Sequence, residues 1–232
     1  MPNTPPPSKD TLPATQRDID TARYYSERAS YYERVYYKPE RQTDLRNMET
    51  YLSQAFMGRR VLEVACGTGW WTPYGALGAQ AWLATDLNEE TMDIARQKPL
   101  PEGKVTFQMV DAYGLDGLGD GSFDGAFAGC WWSHVPLGRL SAWLEILHAR
   151  MEPGAKVVML DNSFVQTSNL PISRKDEEGN TYQIRTLDDG STYEVVKNFP
   201  TEIEARHFLG GRAGNVRWIP FEHYWLMEYT LA

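Results

Sequence analysis

The segment Val61–Thr72, with the sequence VLEVACGTGWWT, constrains the fold of this chain more than any other. Its first residues are apolar apart from Glu63, which is typical of a short parallel strand buried on both faces. Gly67 and Gly69 follow, and glycine permits a sharp turn or a close approach of the backbone to a ligand. A helix is predicted over 71–77. A strand, a glycine turn and a helix in this order place free backbone N–H groups at the carboxyl edge of a sheet, where small ligands bind.

The glycine turn alone is also compatible with a tight turn that binds nothing. A dinucleotide-binding fingerprint requires a third glycine where Thr72 stands. The predicted strands 80–85, 105–110 and 122–128 favour a nucleoside site, because each is followed by polar or small residues. These residues are Asp86, Asp111-Ala112 and Gly129-Cys130. An acidic residue in the place of Asp86 is suited to accept hydrogen bonds from two ribose hydroxyls.

From Arg60 to Asp161 the chain resembles a class I S-adenosylmethionine-dependent methyltransferase of the small-molecule type. Five motifs of that family occur in the family's order, at 61–69, 86–87, 111–112, 123–127 and 151–155. The sequence departs from the family pattern at Ala65 and Ala155, where many members have glycine. Both replacements are small, so we expect them to leave cofactor binding intact.

The resemblance implies an α/β fold, a Rossmann-like doubly wound sheet of seven strands that is mostly parallel with an antiparallel last strand. It also implies that S-adenosyl-L-methionine is the cofactor. Glu63 would contact the methionine ammonium, either directly or through water. Asp86 would contact the ribose, Leu87 the adenine face, and Asp111 with Ala112 the adenine edge. The full predicted cofactor-binding set is Glu63, Ala65, Gly67, Gly69, Trp71, Asp86, Leu87, Asp111, Ala112, Gly129, Cys130 and Tyr32.

Aromatic residues surround the predicted acceptor side of the cleft. Trp131 and Trp132 follow the fourth core strand, and with Trp70 and Trp71 they could wall a flat, aromatic or cationic acceptor, or could be ordinary core residues. Tyrosines in the first predicted helix, 15–35, share one helical face, which indicates either a lid over the cleft or a packing face. Asn162 either reaches the cleft or only ends a strand. The predicted substrate-binding residues are Trp131, Trp132, Tyr25, Tyr36 and Asn162.

His134 lies in the loop after the fourth core strand and is the candidate general base, since imidazole titrates near neutral pH. The alternative is a hydrogen-bonded loop histidine without a chemical role. His148, His207 and His223 lie in predicted helices or a late strand and are interpreted as structural. No metal site is predicted, because the acceptor loop lacks clustered carboxylates.

The chain divides into a proline-rich tail over 1–13, predicted to be disordered, and a single domain over 14–232. Within that domain, 14–58 forms an N-terminal helical lid, 59–161 the cofactor-binding core and 162–232 the acceptor-side region. An inserted β-hairpin is predicted over 181–196, because two alternating segments flank Asp-Asp-Gly-Ser. The hairpin could act as a lid or as a dimer contact, which leaves a homodimer open.

A net charge of −8 and a pI near 5.1 oppose nucleic acid as a partner. No apolar segment approaches the length of a membrane span, and two cysteines in 232 residues favour a reduced, cytoplasmic setting. The sequence therefore predicts a cytoplasmic methyltransferase that acts on O or N of a small, flat or aromatic metabolite. The alternative is a non-catalytic S-adenosylmethionine-binding regulatory or partner protein on the same fold.

Overall fold

The computed structural model describes residues 15–232, and its largest feature is a seven-stranded sheet. The predicted tail over 1–13 lies outside the described residues. The strands of this sheet are β1 (Arg60–Val64), β2 (Ala81–Asp86), β3 (Val105–Met109), β4 (Phe123–Gly129), β5 (Met151–Asn162), β9 (Ala213–Pro220) and β10 (Tyr224–Leu231). Their order is β3-β2-β1-β4-β5-β10-β9, and β10 is antiparallel to both of its neighbours. The predicted sheet, with its antiparallel last strand, is confirmed.

The strands at the centre of the sheet contribute residues to two hydrophobic cores, one on each face of the sheet. Leu62 and Val64 of β1 belong to one buried cluster, whereas Val61 belongs to the other. In β5, Val157 and Val158 divide in the same way. Successive strand residues point to opposite faces, so this arrangement requires apolar residues at nearly every position of a central strand.

Helices cover the sheet and lead the chain between its strands. They are α1 (Gln16–Arg28), α2 (Gln42–Ala55), α3 (Thr72–Ala76), α4 (Glu89–Ala95), α5 (Leu137–Ala149) and α6 (Glu202–Leu209). Thr15 caps α1, since its side chain accepts from the Asp18 backbone N–H and the Asp18 carboxylate accepts from the Thr15 N–H. Thr201 and Glu204 cap α6 in the same way.

The N-terminal region differs from the single helix predicted over 15–35. The α-helix ends at Arg28, and a 3-10 helix continues over Ala29–Tyr36. A 3-10 helix places residues three apart on one side. Tyr32 and Val35 consequently lie together against the buried cluster on the α2 side of the sheet.

The insert after β5 is a small antiparallel sheet. The predicted hairpin is present as β7 (Thr181–Thr186) and β8 (Thr192–Val196), and a third short strand, β6 (Arg174–Lys175), pairs with β7. Tyr24 of α1 forms a buried cluster with Leu187 in the hairpin turn and Val195 of β8. This contact joins the N-terminal region to the insert on one side of the main sheet.

Among residues 15–232, no helix is long and apolar enough to cross a membrane.

Candidate active site

A cavity of about 160 Å³, the first cavity, lies where β1, β2 and β4 end. Most of the predicted cofactor-binding residues line it: Ala65, Gly67, Trp71, Asp86, Leu87, Asp111, Ala112, Gly129, Cys130 and Tyr32. The structure also places Trp131, Tyr25, Tyr36 and His134 on its wall. Leu87 is 48% exposed, which leaves an apolar surface open to a flat ligand.

Asp86 is fixed at the tip of β2 by backbone donors. Its Oδ2 accepts from the Gly67 N–H at 2.8 Å, and its Oδ1 accepts from the Asn88 N–H at 2.9 Å. Thr91 donates its hydroxyl to the same Oδ1 at 3.3 Å. Burial raises the pKa of the carboxyl. An ionised carboxylate has about four lone-pair sites, so Oδ2 keeps acceptor capacity toward the cavity.

Two non-glycine residues at strand tips adopt left-handed backbone conformations beside the first cavity. Ala65 follows β1 with φ of 53°, and Cys130 follows β4 with φ of 59°. A side chain in this region is strained, which explains why glycine suits the position of Ala65 in the related motif. In both cases the turn directs the chain away from the sheet edge and leaves space for a ligand.

Glu63 does not line the first cavity, and its predicted contact with the cofactor stays a prediction. It is 1% exposed and points to the opposite side of β1 from Leu62. Its Oε2 accepts from Trp82 Nε1 at 2.6 Å and from the Thr72 hydroxyl at 2.8 Å. Glu63 therefore joins β1, β2 and the start of α3 beneath the glycine turn.

The buried Glu63 makes stability depend on pH. Burial raises its pKa to about 7, above the ordinary value of 4.5, so the folded state binds a proton that the unfolded state releases. Between these values stability falls as pH rises, by about 3 kcal/mol in total. Replacing Glu63 with Gln is expected to remove this loss. The check is urea unfolding from about pH 5 to about pH 8.

The matched control for this prediction is Glu145→Gln, which removes an exposed carboxylate that is ion-paired with Arg212. We expect the control to keep the pH dependence of the wild type. Equal pH dependence in Glu63→Gln and wild type would contradict the buried-carboxyl account.

Gly69 is not part of the cavity lining, and its predicted contact with the cofactor stays a prediction. Its φ is 70°, and an added Cβ would lie 2.6 Å from the Cβ of Ala95 in α4. Gly67 has φ of 55° with open space around the position of a Cβ, and it does line the cavity. Gly67 therefore forms part of the cavity wall, whereas Gly69 allows the turn to pack closely against α4.

These two glycines give a matched pair of substitutions. Gly67→Ala is expected to lower the free energy of unfolding by about 1 kcal/mol, from backbone strain alone. Gly69→Ala adds a collision with Ala95 and is expected to cost about 3 kcal/mol. Denaturant unfolding of both variants measures the difference. Equal destabilisation would show that the contact with α4 does not constrain the turn.

The N-terminal region closes over the glycine turn through a polar contact. Glu33 accepts from the Thr68 hydroxyl at 2.8 Å and pairs with Lys98 Nζ at 2.6 Å. Residues of α1, among them Ile19 and Ala22, also line the first cavity. Residues of the 14–58 region therefore form part of the cleft wall, and the lid over 14–58 stays a prediction.

A second cavity, of about 230 Å³, adjoins the first. The two cavities share the lining residues Tyr25, Tyr32, Tyr36, Cys130 and His134. Asn162 and Tyr224 line the second cavity only, and the inserted sheet contributes Gln183 and Arg185. Two compartments with a common wall are suited to hold two different ligands side by side.

His134 and Tyr25 form a partly buried pair in the common wall, with the Tyr25 hydroxyl 2.8 Å from His134 Nε2. Burial, reinforced by the positive charge of Lys197, lowers the pKa of His134 to about 3. Burial also raises the pKa of Tyr25. At neutral pH both groups are therefore uncharged.

Trp131 and Trp132 diverge, although they are adjacent in sequence. Trp131 lines the first cavity, where its ring lies 5.2 Å from that of Tyr113. Trp132 is 1% exposed and packs in the core against Trp143 and Trp225. Trp132 lies in neither cavity lining, and its predicted contact with the acceptor stays a prediction.

Sequence reasoning missed the polar half of the second cavity. Arg28, Lys38, Arg41, Arg185 and Lys197 all contribute to its lining. They come from distant parts of the chain, and no sequence motif joins them. Among the described residues no group of three or more His, Cys, Asp or Glu side chains could hold a metal ion, and the expectation of a metal-free site stays a prediction.

Comparison with known protein families gives a match over the cofactor-binding core of the chain. Residues 61–154 match the family described as methyltransferase domain. A comparison with curated proteins gives no match.

Solved structures share the fold over most of the chain. The structure of the DhpI–SAH complex is 24% identical, covers 92% of this chain and 96% of its own, and superposes with a TM-score of 0.74. The DhpI–SAM–HEP complex is 23% identical, with 94% and 99% covered and a TM-score of 0.77. A putative S-adenosylmethionine-dependent methyltransferase from Listeria monocytogenes is 13% identical, with 80% and 97% covered and a TM-score of 0.61. At these identities the likeness shows the fold.

The residues of the first cavity fit S-adenosylmethionine. The Asp86 carboxylate, the exposed Leu87 side chain and the left-handed turn at Ala65 occur together on its wall. They lie on or beside the methyltransferase domain over 61–154, so this part of the chain has the cofactor-binding core of an S-adenosylmethionine-dependent methyltransferase.

Proposed function

We propose that this chain, whose residues 61–154 match a methyltransferase domain, is a class I S-adenosylmethionine-dependent enzyme that methylates an oxygen or nitrogen of a small, flat molecule held in the second cavity. The observation that carries this proposal is the common wall of Tyr25, Tyr32, Tyr36, Cys130 and His134. Methyl transfer requires donor and acceptor to be held in line and shielded from water. A donor in the first cavity and an acceptor in the second would meet across this wall.

The second cavity supports a small acceptor with a ring. Its volume of about 230 Å³ suits a small molecule. Tyr25, Tyr32, Tyr36 and Tyr224 contribute aromatic side chains to the lining. Aromatic rings pack favourably against flat ligands. The acidic chain and its two free cysteines, Cys66 and Cys130, support the proposal that the protein works in the cytoplasm.

S-adenosylmethionine, when bound, supplies an electrophilic methyl group on a sulfonium. The part of this chain is to orient the partners and exclude water, because the common wall holds no strong base. His134 has a pKa near 3, and burial raises the pKa of the Cys130 thiol to about 12. The proposed acceptor therefore arrives with its own nucleophilic lone pair, as an ionised oxygen or a neutral amine.

This proposal gives His134 a positioning role through its contact with the Tyr25 hydroxyl. Replacing His134 with Asn is expected to lower kcat by less than about tenfold, whereas loss of a general base would lower it by about 10²–10⁴. The pH profile of kcat should show the same inflections in the variant as in the wild type. A loss of about 10³ in kcat, together with an inflection that the wild type shows and the variant lacks, would make His134 the base.

The function is tested by incubating the protein with donor that carries a deuterated methyl group and a panel of small phenols, acids and amines. Mass spectrometry then detects the labelled methyl group on an acceptor. With the donor held below its Kd, Asp86→Ala should lower the transfer by about 100-fold, while Asp124→Ala, at the other end of the sheet, should not. Donor binding without transfer to any member of a broad panel would favour the non-catalytic alternative.

A further inference from the structure

The wall of the second cavity is positively charged, although the chain has a net charge of −8. Its lining contains the five cationic residues Arg28, Lys38, Arg41, Arg185 and Lys197, and it contains no aspartate or glutamate. Cationic side chains are rarely gathered in this way without a counter-charge, because mutual repulsion destabilises the folded state. An anion in the cavity would supply that counter-charge.

Three of the five cations have carboxylates nearby. Lys197 is buried and pairs with Asp161 at 2.9 Å. Lys38 and Arg41 lie near the exposed Glu40, whose pKa is lowered by its hydrogen bonds and also by these two cations. These contacts account for part of the charge at the cavity.

Arg185 and Arg28 have no carboxylate partner among residues 15–232. Arg185 donates from Nη2 to the Gln183 Oε1 at 2.7 Å, but its buried Nε has no hydrogen-bond partner in that part of the chain. Arg28 donates to the Tyr24 hydroxyl, and its guanidinium lies 5.3 Å from the centre of the Tyr32 ring in the common wall. A buried donor without a partner is unfavourable unless a ligand satisfies it.

Neighbouring groups respond to this charge. Burial lowers the pKa of Lys38, and the charges of Arg41 and Arg185 lower it further. Arg185 also contributes to the low pKa of His134. A cationic acceptor, which the tryptophans had suggested, would be repelled by the same groups.

We propose that the second cavity binds a small oxyanion, a carboxylate or a phosphate-type group of the acceptor, and that Arg185 and Arg28 hold its charge. This inference rests on the proposed function only in treating the second cavity as the acceptor site. Guanidinium groups donate two parallel hydrogen bonds to carboxylate and phosphate oxygens, which suits both kinds of oxyanion. Arg185 comes from β7, so the inserted sheet supplies part of the acceptor site.

The test is calorimetric titration of protein saturated with S-adenosylhomocysteine. The probes are benzoate, its neutral analogue benzamide, the cationic benzylamine and inorganic phosphate. We expect benzoate or phosphate to bind with an affinity that falls as salt is added, and the two neutral or cationic probes to bind more weakly. The stronger of the two anions identifies the kind of oxyanion.

Arg185→Gln is expected to weaken binding of the preferred anion by about tenfold or more, and Arg185→Lys by less. Arg28→Gln should weaken it in the same direction. Arg212→Gln is the matched control, since Arg212 is partly exposed, pairs with Glu145, and is not part of the cavity lining. The control should bind the anion as the wild type does.

Three results would overturn the inference: benzamide binding as tightly as benzoate, anion affinity unchanged in Arg185→Gln, or no anion binding by protein that binds S-adenosylhomocysteine. Each of them leaves the proposed methyltransferase function standing. Failure of the wild-type protein to bind S-adenosylhomocysteine would instead count against that function.

Discussion

Replacing Asp86 with Ala is expected to weaken binding of S-adenosylmethionine by about 100-fold, because a hydrogen bond to a charged group contributes about 1.5–3 kcal/mol. The carboxylate stands at the tip of β2 and accepts from the Gly67 and Asn88 N–H groups. The substitution therefore removes the predicted ribose contact and also loosens the glycine turn. Calorimetric titration of the donor measures the change.

Asp124→Ala is the matched control for this prediction. Asp124 is also a strand carboxylate that accepts a backbone N–H, that of Arg60 at 2.6 Å. It lies at the start of β4, the opposite end from the first cavity. We expect the donor affinity of this variant to match the wild type. Equal losses in the two variants would show that the effect of Asp86→Ala is only structural.

Replacing Lys197 with Met is expected to lower the free energy of unfolding by about 3–5 kcal/mol, since it leaves a buried carboxylate unpaired. The side chains of Lys197 and Asp161 are 4% and 0% exposed, and their charged atoms are 2.9 Å apart. Burial alone would raise the pKa of Asp161, but Lys197 and the other neighbours hold it below its ordinary value. Urea unfolding followed by tryptophan fluorescence measures the loss.

A lysine-to-methionine substitution at a more exposed ion pair is the control for this prediction. Lys156 pairs with Glu228 on the sheet, where the two side chains are 25% and 20% exposed. Lys156→Met should cost less than about 1 kcal/mol. The double variant Lys197→Met, Asp161→Leu should recover much of the stability lost in the single variant. A small loss in Lys197→Met would mean that Asp161 is neutralised in another way.

The sequence predicted the sheet well because its central strands must be apolar on both faces. Strands β1 and β5 show this pattern, and the glycine turn with Asp86 fixed which edge of the sheet carries the site. The hairpin was also predictable, since alternating residues flank a turn sequence at 187–191. These features are local, so a single sequence reveals them.

Side-chain direction was not predictable in the same way. Glu63 was expected at the cofactor, but it points to the other face of β1, where Trp82 and Thr72 donate to it. Trp131 and Trp132 were expected to act together, yet the 3-10 turn that begins at Trp132 sends them to different environments. The direction of a side chain at a strand end depends on the turn that follows, which the residue type does not specify.

The charge of the second cavity depends on long-range packing. Arg28 lies in α1 and Arg185 in β7, 157 positions apart, and they meet because the insert packs on the N-terminal region. Neither residue stands in a motif of the cofactor site. A single sequence carries no signal of this convergence, and the structure alone reveals it.

The central claim is that the first cavity holds S-adenosylmethionine at the Asp86 edge of the sheet. Titration of the wild-type protein with this donor, with NAD as the comparison, tests it most directly. The account predicts one donor bound per chain with a Kd in the micromolar range, about −8 kcal/mol, and no binding of NAD. Binding of NAD alone, or of neither ligand, would contradict it.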